Sequence, residues 1–92
     1  MDLANAVALV TGGSGGLGSQ ICKQLAGAGA RIAVAYRGGE KRASVVCETV
    51  RAAGGEAHTV SIDQIDPASI EAGVAWVVSE MGGLDILVNN AG

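Results

Sequence analysis

The sequence predicts an α/β fold in which four parallel strands and three helices alternate as βαβαβαβ, with the strands in the order 3-2-1-4. Three observations carry that expectation. Along the chain, apolar residues switch between short continuous runs and helical spacing, with glycines at the joints. The 92 residues are 49% hydrophobic but only 2% aromatic, so the core must be built from Ala, Val, Ile and Leu, as in a sheet covered by closely packed helices. Finally, no linker, repeat or low-complexity segment interrupts the alternation, which makes residues 1–92 a single domain.

The elements follow in order. Ala6 to Thr11, with Val7, Leu9 and Val10, reads as a first strand buried on both faces. From Gly16 the apolar positions become Leu17, Ile21, Leu25 and Ala28, one face of a helix that Gly29 ends. Arg31 to Tyr36 is the second strand. Glu40 to Ala53 carries Ala43, Val46, Val50 and Ala53 at helical spacing and stops at Gly54-Gly55. His58 to Ile62 alternates Val60 and Ile62 against Thr59 and Ser61, as an edge strand with one wetter face does. Asp66-Pro67 is an acidic cap followed by proline at the first helical position. The helix after it is expected to bury Ile70, Val74, Val77, Val78 and Met81, and Asp85 to Asn89 is the fourth strand. Right-handed crossovers place the first two helices on one face of the sheet and leave the third alone on the other.

Charge and composition remove several functions. A formal net charge of -3 supplies no general basic field for a nucleic-acid backbone or an anionic membrane. No apolar stretch approaches the roughly 20 residues that span a bilayer, and the first ten residues have neither a basic leader nor a cleavage site, so a cytoplasmic location is expected. Cys22 and Cys47 fall in separate helical patterns without a metal-binding or redox spacing and read as reduced small apolar residues. No metal constellation is present in the sequence.

The chemistry concentrates in "VTGGSGGLGSQ", Val10 to Gln20. Ordering so many glycines costs entropy. A tight strand-to-helix turn needs Gly12, a diphosphate reaches backbone N–H groups only where no Cβ intervenes, and Gly18 lets the helix press on the sheet. N–H groups at the start of a helix, with its dipole, hold an anion without net positive charge on the protein. The stretch therefore reads as a phosphate cradle.

Thr11-Gly12, Gly16 and Gly18, taken with "NNAG" at Asn89 to Gly92, resemble the short-chain dehydrogenase/reductase family. "DPASIE" at Asp66 to Glu71 and "LVNNAG" make the chain most similar to its 3-oxoacyl-(acyl-carrier-protein) reductases. The resemblance covers the whole chain but only the N-terminal part of the family's fold, a partial Rossmann fold. It implies that Gly12, Ser14, Gly15, Gly16, Leu17 and Gly18 line the diphosphate and nicotinamide-ribose side of a dinucleotide. It places Asp63 and Gln64 at the adenine, and Asn90, Ala91 and Gly92 beside the adenosine ribose, with Asn89 tying strands together through backbone bonds.

An NAD-binding member has an acid about 20 residues past the glycine turn to take the ribose 2′-OH. This chain has Tyr36 and then Arg37, whose guanidinium can fork onto a 2′-phosphate, so NADP is expected over NAD, by roughly 10-fold. Gly15 departs from the pattern, because many NADP-linked relatives carry a basic residue there. The family's catalytic serine and Tyr-x-x-x-Lys lie beyond its "NNAG" turn, so no catalytic residue is assigned. The single tyrosine, Tyr36, has Glu40 rather than a lysine four residues on, which is no catalytic pair. His58 is expected at the surface. Trp76, off the apolar stripe of its helix, either meets a partner or covers a neighbour.

Two readings stand. The chain is the cofactor-binding part of an NADP-dependent carbonyl reductase, inactive by itself and completed by a second polypeptide segment, or it is a standalone dinucleotide-binding or interaction module. In either, the free edge of the fourth strand is a candidate dimer contact.

Overall fold

Val7–Thr11 is buried at every position, which a strand achieves only at the centre of a sheet covered on both sides. A computed structural model, which describes residues 3–12 and 15–90, places it there. The elements are β1 (Val7–Thr11), α1 (Gly16–Gly27), β2 (Arg31–Tyr36), α2 (Glu40–Ala52), β3 (Ala57–Ser61), α3 (Pro67–Met81) and β4 (Ile86–Asn89). All strand pairs are parallel and the order is β3-β2-β1-β4, as expected from the alternation. Element ends differ by a residue from the expected ones. Ala57, for example, pairs with Ile32 and so opens β3. Asp85 stands just outside β4, its Oδ2 accepting from the Val7 N–H at 2.8 Å.

Side chains alternate across each strand, and this sorts the core into two layers. Ala8, Val10, Ile32, Val34 and Ala57 meet Cys22 of α1 and Ala43, Val46, Cys47 and Val50 of α2. Val7, Leu9, Ala33, Ala35, Val60 and Ile62 meet Val77 and Met81 of α3. The right-handed crossovers thus put α1 and α2 on one face and α3 on the other. Both cysteines are free and buried, and burial, with Cys47 nearby, pushes the Cys22 thiol up to about 11.

Two expected helix faces are rotated. In α1 the buried residues are Gly18 and Cys22, while Leu17 is 68% exposed. The helix buries Gly18 and leaves its neighbour Leu17 on the outer side of the first turn. In α3 the buried stripe is Gly73, Val77 and Met81, leaving Ile70 and Val78 exposed. The cause is close approach at Gly73, where a Cβ would collide with the Ile62 side chain. Leu87, on the same face of the sheet, is 62% exposed. The Asp66 cap is as expected, Oδ1 accepting from the Ala68 N–H at 3.1 Å ahead of Pro67.

Arg31 clamps the amino edge of the sheet. Its Nε and Nη2 donate to the two Glu56 carboxylate oxygens at 3.0 and 2.9 Å, and Nη1 donates to the Met81 carbonyl at 2.7 Å, tying the end of α3 to β2. His58, half-buried rather than fully at the surface, has Nε2 3.0 Å from Glu56 Oε2 and an edge-on contact with Trp76. Trp76 therefore covers a neighbour. Hydrogen bonds from Arg31, then from His58, hold the Glu56 carboxyl at about 2.

Two expectations follow. Glu56→Gln should cost about 1 kcal/mol or less at neutral pH, because the pair is partly exposed and solvent-screened. The native carboxyl titrates lower when folded than when unfolded, so its contribution is complete above pH 4.5 and is lost as pH falls toward 2. Urea titrations at pH 7 and pH 3 should show a smaller acid loss in the variant, and an equal loss would contradict the assignment. Gly73→Ala should lower stability by about 1 kcal/mol, since overpacking against Ile62 outweighs the gain in helix propensity. A higher urea midpoint would contradict that.

Candidate functional site

Parallel strands bring all four carboxyl ends to one edge, and in this order the first crossover from β1 runs to β2 while its other neighbour is β4. Chain direction reverses around β1, so a crevice opens outside its carboxyl end. Gly12, Gly15, Gly16 and Asn90 follow the carboxyl ends of β1 and β4, and Arg37 and Asp63 those of β2 and β3.

The turn after β1 begins at Gly12, whose φ of 65° is left-handed and favours glycine. The Gly15 N–H donates to the Gly12 carbonyl at 3.2 Å, closing the turn. Gly15 is then the extended N-cap residue of α1 and has no side-chain cap, and no acid stands in the first turn. The initial N–H groups of α1 thus lack the carboxylate that α3 receives from Asp66. A Cβ at Gly16 would find nothing within 4 Å among the described residues, so the space beside the start of α1 is open to them. Such a donor set suits an anion, and a phosphate group fits it. Gly18 is buried.

A hydroxyl pins this turn to the end of β4. Thr11, 8% exposed, accepts at Oγ1 from the Asn90 N–H at 3.1 Å, and its one proton is shared between the Val88 carbonyl and Asn89 Oδ1, each 3.2 Å away. Asn90 Nδ2 donates to the Gly12 carbonyl at 3.4 Å. Asn89 therefore ties the strands through its side chain, and Asn90 touches the glycine turn directly. Thr11 was legible only as a motif letter, because its partners lie 77 to 79 residues away.

At the ends of β2 and β3, Arg37 Nε lies 3.7 Å from Asp63 Oδ1, with side chains 69% and 36% exposed. Asp63 Oδ1 also accepts from the Ile65 N–H at 3.2 Å, and the Asp63 N–H donates to Ser69 Oγ at 2.8 Å. Gln64 beside it is exposed. Arg37 and Asp63, assigned from sequence to separate parts of a ligand, are thus neighbours. Ser14, Ala91 and Gly92 lie outside the described residues. Between α1 and α2 opens a cavity of about 330 Å³ that includes Gly15, Gly16, Lys23, Lys41 and Arg42. No periodicity or motif pointed to these three cations. No helix among the described residues is long and apolar enough to cross a membrane.

Residues 6–92 match the family described as short chain dehydrogenase. The 3-oxoacyl-(acyl-carrier-protein) reductase FabG of Staphylococcus aureus is 42% identical over 92% of this chain and 35% of its own length. The chain therefore spans about a third of the length of the curated relatives it matches. Among solved structures, a dehydrogenase/reductase from Sinorhizobium meliloti 1021 superposes with a TM-score of 0.96 at 44% identity, over 99% of this chain and 36% of that one. A metagenomic short-chain oxidoreductase in complex with NADP gives 0.92 at 39% identity, over 98% and 40%.

Thr11→Val keeps the volume but strips the Asn90 N–H of its acceptor, and should cost about 1–2 kcal/mol in urea denaturation, with Thr11→Ser restoring most of it. A Thr11→Val midpoint equal to the native one would contradict the pinning role.

Proposed function

The chain belongs to the short chain dehydrogenase family, and from that premise we propose that it is the NADP-binding portion of a carbonyl reductase acting on 3-oxoacyl groups. The observation that carries this reading is the uncapped start of α1 beneath an open glycine turn, tethered by Thr11 and Asn90 to the end of β4. The relative in complex with NADP supports the choice of coenzyme, and the relatives named as 3-oxoacyl-(acyl-carrier-protein) reductases support the substrate class.

In this reading the amides from Gly12 to Gly18 hold the diphosphate, with Ser14, Gly15, Gly16 and Leu17 along the nicotinamide-ribose side. The exposed Leu17 is an apolar side chain offered to a ligand over the first turn. Asp63 and Gln64 take the adenine, and Asn90, Ala91 and Gly92 flank the adenosine ribose. Arg37 contacts the 2′-phosphate. Its neighbour Asp63 also draws it by charge, so Arg37 contributes to the preference for NADP without carrying it alone.

Bound nicotinamide supplies the hydride of the family's carbonyl reduction. The proton donor belongs to another part of the complete enzyme. Tyr36 is half-buried against the α1–α2 core, with Glu40 opening the helix after it, and is not placed to act as one.

Fluorescence titration of the chain should give saturable NADPH binding about 10-fold tighter than NADH. Arg37→Ala should reduce that ratio severalfold. Equal affinities would contradict the coenzyme assignment, and no saturable binding by folded protein would contradict the site. The same preparation is expected to leave NADPH unoxidised in the presence of an acetoacetyl thioester, and turnover would contradict the division of labour.

A further inference from the structure

The chain has two cysteines, and the dinucleotide reading uses neither. Both are free and buried in the same layer of the core, Cys22 at 0% and Cys47 at 1% exposure. They come from different helices. Cys22 is, with Gly18, a residue that α1 buries, and Cys47 stands in the buried row Ala43, Cys47 and Val50 of α2.

The residues a turn away on each helix show where the two thiols lie. On one side, Ser19 and Lys23 of α1 share the lining of the 330 Å³ cavity with Val46 and Thr49 of α2. On the other, a Cβ on Gly55 would lie 3.6 Å from the Ala26 Cβ and 2.8 Å from Val50 Cγ1, so the helices draw together there. Cys22 falls between Ser19 and Ala26, and Cys47 between Val46 and Val50, in the seam that these contacts bracket. The influence of Cys47 on the Cys22 thiol agrees with that placement. The cavity gives a small neutral molecule a way to the residues that adjoin both cysteines, while the packed seam keeps bulkier reagents out.

We propose that Cys22 and Cys47 are a modification site, a pair that hydrogen peroxide closes to a disulfide joining α1 to α2. One sulfur, as thiolate, attacks a peroxide oxygen; the O–O bond breaks, and hydroxide leaves and is protonated to water, giving a sulfenic acid. The second sulfur then attacks the sulfenic sulfur, the S–O bond breaks, and a second water leaves. Two thiols are oxidised by two electrons, and one peroxide is reduced to two waters. Burial, with Cys47 nearby, holds the Cys22 thiol at about 11, and burial raises Cys47 as well, so thiolate is scarce and closure is slow. The pair responds to sustained oxidant. Its bridge would enclose the segment from α1 through β2 to α2 in one covalent loop, which restricts the unfolded chain and favours the folded one.

The test incubates the full chain with millimolar hydrogen peroxide for hours, counts thiols in denaturant and maps tryptic peptides without reductant. Both thiols should disappear together, with a bridge between the peptide that ends at Lys23 and the one from Ala43 to Arg51. The urea midpoint should rise, and dithiothreitol should restore both the thiols and the original midpoint. In Cys47→Ala the same treatment should leave the midpoint unraised, which separates the bridge from oxidation elsewhere in the chain. Two thiols still titrating after treatment, a bridge only between chains, sulfinic or sulfonic acids in place of the bridge, or a lowered midpoint in the bridged chain would each overturn the proposal.

Discussion

A strand buried on both faces can meet a ligand only at its ends, and β1 is such a strand. Its five residues are covered by α1 and α2 on one side and by α3 on the other, with β2 and β4 hydrogen-bonded along its edges. Because every neighbour is parallel, the carboxyl ends of all four strands share one edge. The turn that leaves β1 is then the point where the chain reverses its direction of winding and where backbone N–H groups are left without a helical acceptor. The glycines do not create that site. They keep it open by leaving out the side chains that would fill it.

Holding an anion in an acidic protein requires that the attraction be local. Helix-terminal amides provide part of it, and their effect fades within a turn or so. Among the arginines, Arg37 stands at the carboxyl edge beside Asp63, whereas Arg31 and Arg51 are engaged in structural bonds. Arg31, for instance, spends its fork on Glu56 and Met81 at the opposite edge of the sheet. Charge is thus divided by position, with the Arg31–Glu56 pair closing the amino edge and Arg37, Lys41 and Arg42 following the carboxyl end of β2.

Topology was legible because it rests on local signals: β-type runs, helical spacing, the Asp66-Pro67 cap and glycine joints. The rotation of each helix was not. Spacing identifies a face but not how far it is turned toward the sheet: α1 buries Gly18, and close approach at Gly73 turns α3, so Leu17, Ile70 and Val78 end up exposed. In the site, the glycine turn was readable because its chemistry is contiguous. The Thr11 to Asn90 bond, the Arg37 to Asp63 pairing and the convergence of Lys23 with Lys41 and Arg42 were not, since each joins segments that only the folded sheet brings together.

The central claim is that the amides after β1 are the seat of a dinucleotide diphosphate. Two-dimensional NMR of the ¹⁵N-labelled chain during addition of NADPH reads those amides one by one. Saturable shifts at Gly12, Gly15, Gly16 and Asn90, with Glu56 and Gly82 at the opposite edge unmoved, are the expected result. Shifts confined to the Glu56 edge, or an unmoved Gly16 at saturating coenzyme, would contradict it.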